Sequence, residues 1–244
     1  MPALVHLVIP CFHESARIGP FLEDLKSTFA GDDRIRIRVV DDGSGAEEQD
    51  RISAVLAPIV ADCPLFLPLL RLPENLGKGG AVYAGWDQAG SADWLAFVDA
   101  DGSCPASEVK RLIELALHQS GSKAPAAIFA SRVKMLGRQV DRYFKRHLIG
   151  RVFATLVSEL LLIPVYDSQC GLKLIPRAAY AEVRPRLTLT GFAFDVDLLV
   201  KLLDAGHAVR EEPIDWHETP GGKVRLFRDS WRMARDVLRI RGSR

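Results

Sequence analysis

Trp94-Leu95-Ala96-Phe97-Val98-Asp99-Ala100-Asp101 is the stretch that decides the fold. An apolar run is followed at once by two carboxylates one position apart. A short continuous apolar run reads as a strand buried on both faces. Its end concentrates negative charge, which is costly to bury unless a partner neutralises it. Oxygen donors of this type suit Mg²⁺ or Mn²⁺ bridging to a phosphate. A lone Asp-x-Asp also fits a solvated turn, so the decision rests on what repeats around it.

Working outward, further strands are expected at Leu4–Pro10, Ile35–Val40, Leu65–Leu72 and Ala126–Ala130. Helices are expected between them at Ile18–Phe29, Glu47–Val60, Gly79–Ala89 and Ala106–Gln119, the last opening behind Pro105. Continuous apolar strands alternating with helices imply an α/β fold, with a mostly parallel central sheet covered by helices on both faces. In such sheets ligands bind at the carboxyl edge of the strands. Each early strand ends there in polar or glycine-rich residues: Pro10-Cys11-Phe12-His13-Glu14, Asp41-Asp42-Gly43-Ser44, Asn75-Leu76-Gly77-Lys78-Gly79-Gly80, Asp99-Ala100-Asp101, and Ser131-Arg132. One such turn is ordinary; five on one edge predict a single pocket wall.

The second half reads differently. Asp141 to Ile163 is expected as one helix or two. A polar turn at Asp167–Gly171 follows, then a strand Leu172–Ile175, a helix Phe194–Ala205, a strand Ala208–Glu212 and a basic helix from about Val224 to Ile240. The expected organisation is a domain over 1–222 with a basic amphipathic C-terminal helix over 223–244. The chain has 244 residues, 48% hydrophobic and 26% charged, so a sizeable core can form. A net charge of +1 argues against a dedicated nucleic-acid partner. Cys11, Cys63, Cys104 and Cys170 lack metal-site spacing and read as free thiols of a reducing compartment. Neither a signal peptide nor a membrane-spanning run is expected, which points to a cytoplasmic protein.

The chemistry of the edge follows from its residue types. Asp41 and Asp42 suit a base imide or a ribose hydroxyl; an Asx turn into the next helix is the alternative. Gly77, Gly79 and Gly80 would let backbone approach an anion at a helix start, and Lys78 adds a point charge suited to phosphate. A helix-entry turn with a solvated lysine is the alternative. His13 and His217 lack zinc spacing and are expected in turn or core roles.

Together these residues resemble the family 2 glycosyltransferases, whose fold is the GT-A type nucleotide-sugar-binding sheet. The matching segments are Val8-Ile9-Pro10 with Glu14, Val39 to Ser44, Asn75 to Ala81 and Asp99 to Ser103. Asp167-Ser168-Gln169-Cys170-Gly171-Leu172-Lys173, Phe192 to Asp197, and Glu212-Pro213 with Trp216-His217-Glu218 are similar to the dolichyl-phosphate β-glucosyltransferase branch. Two features depart from that branch: the N-terminal membrane anchor of eukaryotic members, and Gly221-Gly222-Lys223 where Gly-Ser-Lys is usual. The resemblance implies that Asp41 meets the uracil or ribose, with Pro10 and Glu14 framing the nucleotide. Asp99 and Asp101 would hold Mg²⁺ or Mn²⁺ against the diphosphate, Arg132 would contact phosphate, and Asp167 and Gln169 would face sugar and acceptor.

The implied reaction is inverting displacement of UDP from a UDP-sugar, most simply UDP-glucose, by a polyprenyl phosphate. Lys78 and Arg132 would stabilise developing charge, and Asp167 is the candidate base if the acceptor is a hydroxyl. The competing readings are a soluble glycosyltransferase acting on a saccharide or other hydroxyl, and a non-catalytic nucleotide-sugar-binding protein. From Arg132 to Arg151 seven basic residues face one acidic residue, and the tail from Lys223 to Arg244 is similar. Such segments suit the inner face of a membrane, as a peripheral contact, or a helix packed on the domain with a solvated basic face. Arg138, Arg142 and Arg146 share a face if their segment is helical; gripping an acceptor phosphate is one reading of that face and a plain solvated face the alternative. Trp216 is expected to stack on a sugar or to cover the sheet edge.

Overall fold

A computed structural model describes residues 4–141, 159–161, 163, 165–219 and 226–242; of 226–231 and 234 it describes the backbone. Seven strands form one sheet: β1 (Val5–Cys11), β2 (Ile35–Asp41), β3 (Phe66–Arg71), β4 (Trp94–Val98), β5 (Ala127–Ser131), β7 (Leu172–Pro176) and β8 (Val209–Pro213). Their order is β3-β2-β1-β4-β7-β5-β8. A two-stranded ladder pairs β6 (Val140–Asp141) with β9 (Trp216–His217).

Alternation within the strands explains why they are apolar throughout. Val5, Leu7 and Ile9 of β1, and Trp94, Ala96 and Val98 of β4, join one core with α1 (Ile18–Thr28), α2 (Ala46–Asp62) and α4 (Ala106–Leu117). Val8, Leu95 and Phe97 point the other way. There they meet α3 (Lys78–Trp86), α5 (Arg177–Val183), α6 (Phe194–Asp204) and α7 (Leu226–Gly242). A strand with both faces covered has no polar side to present.

The parallel sheet carries one exception that matters for function. β7 runs antiparallel between β4 and β5, with Phe97 opposite Lys173. Reversal puts the start of β7, and the Asp167–Gly171 turn before it, on the same edge as the ends of β1, β2, β4 and β5. The backbone joins the two: Asp99 N–H donates to Gly171 O at 2.9 Å.

The expected strands and helices of the first half match within a few residues. The helix expected from Asp141 does not begin there, because Val140 and Asp141 pair with β9; residues 142–158 lie outside the described set, as does the proposed boundary at 222/223. The C-terminal helix packs on the domain: Met233, Val237 and Ile240 are buried in the second core while Arg232, Arg235, Arg239 and Arg241 are exposed. Among the described residues no helix is long and apolar enough to cross a membrane.

Candidate functional site

Five strand ends and the turn before β7 build one rim. Pro10 lies inside β1, and the loop after it carries His13 at φ 53°, a left-handed backbone that non-glycine residues rarely adopt. His13 N–H donates to Ser44 Oγ at 2.8 Å, and Asp42 N–H to Cys11 O at 2.9 Å, so the first two loops clasp each other. Glu14 is held by Arg17 at 2.7 Å and caps the start of α1 through its carbonyl.

The aspartates at the end of β2 do local work. Asp41 is fully buried and accepts from Ser44 N–H, Ser44 Oγ and Gln49 Nε2 at 2.9, 2.6 and 2.8 Å. These bonds brace the turn that leads into α2. Asp42 Oδ1 accepts Leu76 N–H at 2.7 Å and so ties β2 to the loop entering α3. Burial pushes its carboxyl up to about 6, against the pull of the Leu76 and Gly77 N–H groups.

The glycines at the start of α3 admit close protein contacts. A Cβ on Gly79 would lie 2.4 Å from Phe194 Cβ, and one on Gly77 2.6 Å from Thr190 O. Gly80 N–H donates to Thr190 O at 3.1 Å. The segment leading into α6 thus sits on the first turn of α3. That contact brings Asp195, at the start of α6, towards Lys78.

A line of alternating charge runs under the rim. Lys173 of β7 is fully buried, donates to Cys170 O at 2.7 Å and pairs with Asp195 at 2.7 Å. Its ammonium lies over the rings of Phe97 and Phe129. Lys78 pairs with Asp99 at 2.6 Å. Burial opposes the charge on Lys78, but Asp99, Asp195 and Asp101 outweigh it and hold its pKa above the usual value. Burial, then the neighbouring Asp99, raise the Asp101 carboxyl; Ser103 N–H, donating to it at 2.9 Å, acts the other way.

Asp99 and Asp101 fit a divalent cation of the Mg²⁺ or Mn²⁺ type. Both are hard oxygen donors, and their mutual repulsion is the kind a cation relieves. Among the described residues no group of three or more His, Cys, Asp or Glu gathers as a complete ligand set. Mg²⁺ takes one or two carboxylates and completes its shell with water and substrate phosphates, so two suffice.

At the end of β5, Arg132 pairs with Asp167 of the turn before β7. Asp167 Oδ2 accepts from Arg132 N–H and Nε at 3.0 and 2.7 Å, and Oδ1 from Nη2 at 2.8 Å. Burial acts against the guanidinium's charge, yet Asp167 more than offsets it, so Arg132 is held firmly protonated. The guanidinium stacks on Trp216, 5.1 Å from the ring centroid. Trp216 is only 5% exposed, which matches the edge-covering alternative better than a sugar platform. Its strand β9 is stitched to the carboxylate loop by His217 N–H to Ser103 O at 2.9 Å. Gln169 Nε2 reaches Met233 Sδ at 3.1 Å and so joins the turn before β7 to α7.

Arg138 does not join this set. It lies in a turn before β6, not on a helix, and its Nη1 pairs with Glu108 Oε1 at 2.9 Å. Arg142 and Arg146 lie outside the described residues. All four cysteines are free and buried, and burial pushes the Cys170 thiol up to about 12, so it is no nucleophile at neutral pH. Residue-by-residue reading missed the roles of Lys173 and Gly171. The available signal was a lysine inside Leu172-Lys173-Leu174-Ile175, a charge where both neighbours are buried.

Comparison with known proteins places this geometry. The solved structures it matches include glucosyl-3-phosphoglycerate synthase from Mycobacterium tuberculosis with UDP, at TM-score 0.69 and 18% identity over 98% of this chain and 80% of that one. The same enzyme with Mn²⁺, UDP and phosphoglyceric acid matches at TM-score 0.71 and 14% identity over 98% and 79%. These likenesses carry the fold, and the GT-A type expectation stands. In sequence the chain is 32% identical to the dolichyl-phosphate β-glucosyltransferase of Saccharomyces cerevisiae, over 96% of this chain and 73% of that one. It is 27% identical to the Mus musculus protein of the same name, over 96% and 74%. The model of glycosyl transferase family 2 matches residues 6–183, and the chain belongs to that family.

Proposed function

We propose that this chain is an inverting hexosyltransferase that moves glucose from UDP-glucose to a polyprenyl phosphate of the dolichyl type. The donor class is supported by the fold shared with UDP-bound structures, and the acceptor by the names of the relatives matched over 96% of the chain. The observation that carries the choice of acceptor is the Arg132–Asp167 pair. A hydroxyl acceptor needs a base, and a carboxylate whose two oxygens already accept three bonds from one arginine is a poor one. A phosphate monoester, with a second pKa of about 6, arrives largely ionised and needs orientation instead.

In this reading an acceptor phosphate oxygen attacks the anomeric carbon as the bond to the UDP oxygen breaks, with inversion. Asp99 and Asp101 would hold the divalent cation, which supplies Lewis-acid stabilisation of the leaving diphosphate. Lys78 contributes fixed positive charge on the donor side and Arg132 on the acceptor side. Asp41, Asp42, Glu14 and Pro10 act one layer back: they hold the loops that would frame the nucleotide, and Gly79 lets the start of α6 close over α3. Gln169 positions the turn before β7 through its contact with α7.

The rim beside the Arg132–Asp167 pair supports a lipid-borne acceptor. Leu136 is 100%, Tyr166 76% and Met135 52% exposed, on the two loops which that pair ties together. Lys134 beside them is exposed, as are Arg232, Arg235 and Arg239 of α7. Apolar tips with flanking cations suit the surface of an anionic membrane, at its cytoplasmic face. The test supplies UDP-glucose labelled in the sugar, with Mn²⁺, and either polyprenyl phosphate in anionic vesicles or soluble saccharides. Label is expected in the organic phase. Leu136→Glu should weaken co-sedimentation with vesicles and transfer there, while transfer to a short-chain prenyl phosphate in detergent persists. Label on saccharide alone overturns the reading.

A further inference from the structure

Lys78 Nζ lies 2.6 Å from Asp99 Oδ1, with 18% of the lysine and 27% of the aspartate side chain exposed. The oxygen it occupies is one that a cation on Asp99 would use. An ammonium in contact with a cation's ligand repels that cation strongly at such short range. Asp195 and Asp101 also favour the charge on Lys78, but Asp195 is already paired with the fully buried Lys173, and Asp99 is the carboxylate that Lys78 contacts. The rings of Phe97 and Phe194, 5.3 and 6.0 Å from Nζ, bound its path on the apolar side. A lysine stem has the freedom to swing, and the acceptor chemistry that would draw it off Asp99 is a diphosphate.

We propose that Lys78 makes cation and nucleotide binding interdependent: it competes with the cation for Asp99 until a nucleoside diphosphate takes its ammonium. This rests on the reading of Asp99 and Asp101 as cation ligands beside the UDP diphosphate. Nucleotide then tightens the cation by two routes, direct phosphate ligation and removal of a competitor, and only the second needs Lys78. Linkage makes the coupling reciprocal.

The test is Mn²⁺ titration followed by the electron paramagnetic resonance of the free ion, with and without saturating UDP. The proteins are wild type, Lys78→Met, Lys78→Gln and Lys78→Arg. Without UDP, Lys78→Met and Lys78→Gln should bind Mn²⁺ at least about 5-fold more tightly than wild type, and the gain in Mn²⁺ affinity on adding UDP should shrink by a similar factor. Lys78→Arg keeps the charge and should stay near wild type. A lysine that only touches phosphate, or only packs, would leave Mn²⁺ binding without UDP unchanged or weaker. That result in both neutral variants, each shown to be folded by its melting curve, overturns the inference while UDP-dependent Mn²⁺ binding by wild type keeps the site reading intact. Wild type binding no Mn²⁺ even with UDP would overturn both.

Discussion

Gly171 shows how little room surrounds the carboxylates at the level of single residues. A Cβ there would lie 2.1 Å from Asp99 Oδ2 and 2.4 Å from its Cγ. The neighbour is the carboxylate proposed as a cation ligand, so Gly171→Ala must displace the end of Asp99. Transfer is expected to fall by roughly 10²-fold, the cost typical of a misplacement of about 1 Å. The melting temperature should hardly change, since the displaced group borders the open rim. Steady-state kinetics with a melting curve checks this, and wild-type kcat/KM would defeat it. The Asp-x-Asp pair itself was legible in the sequence because an apolar run ending in carboxylates is a local pattern. The demand for glycine at 171 was not, because the clashing atoms belong to Asp99, just past β4 and far away in the chain. The same limit explains Gly77 and Gly79. Their small size was visible, but the contacts with Thr190 and Phe194 were not, because those residues lie far along the chain.

Among elements, the parallel strands and the helices between them followed from periodicity, and β7 shows where periodicity stops. A strand covered on both faces is apolar throughout whichever way it runs, so Leu172–Pro176 carries no mark of its reversal between β4 and β5. The ladder of β6 and β9 is two residues long on each side, too short to leave a pattern. Lys173 was the local inconsistency, a charge in a buried strand, and its pairing with Asp195 resolves it. Removing one member of a buried pair leaves the other uncompensated. Lys173→Met should therefore cost about 3 kcal/mol, at the low end of the range because Lys78 also favours the charge on Asp195. Replacing both, Lys173→Met with Asp195→Leu, should recover most of the loss. Urea denaturation of the two variants decides it: equal losses in the single and the double would show that the pair's charge is not the issue.

Across the whole molecule, independent buried groups meet in one folding equilibrium, and two of them oppose each other with pH. His6 of β1 is 2% exposed; burial, and then the charge of Arg38, bring its pKa down to about 4 from 6.5, against a hydrogen bond to the Gly85 carbonyl. The unfolded chain thus takes up a proton on His6 near pH 6.5 that the folded chain refuses until about pH 4. Stability from this source is present above pH 6.5 and falls by about 3 kcal/mol as pH drops to 4. Asp42 acts with the opposite sign. Its carboxyl rises from 3.8 to about 6, so the folded chain keeps a proton that the unfolded chain releases. Its contribution is fully present below pH 3.8 and is lost, again by about 3 kcal/mol, as pH climbs to 6. Between pH 4 and 6.5 the two slopes nearly cancel in the wild type, and single substitutions should expose each. The stability of His6→Gln relative to wild type should increase as pH falls from 7 to 4, because the histidine penalty is gone. That of Asp42→Asn should increase as pH rises from 4 to 6.5, its amide oxygen still accepting from Leu76 and Gly77. Denaturant midpoints at several pH values across that span give both differences; pH-independent offsets would refute the assignment, and a reversed sign in either would refute that group's burial as the cause.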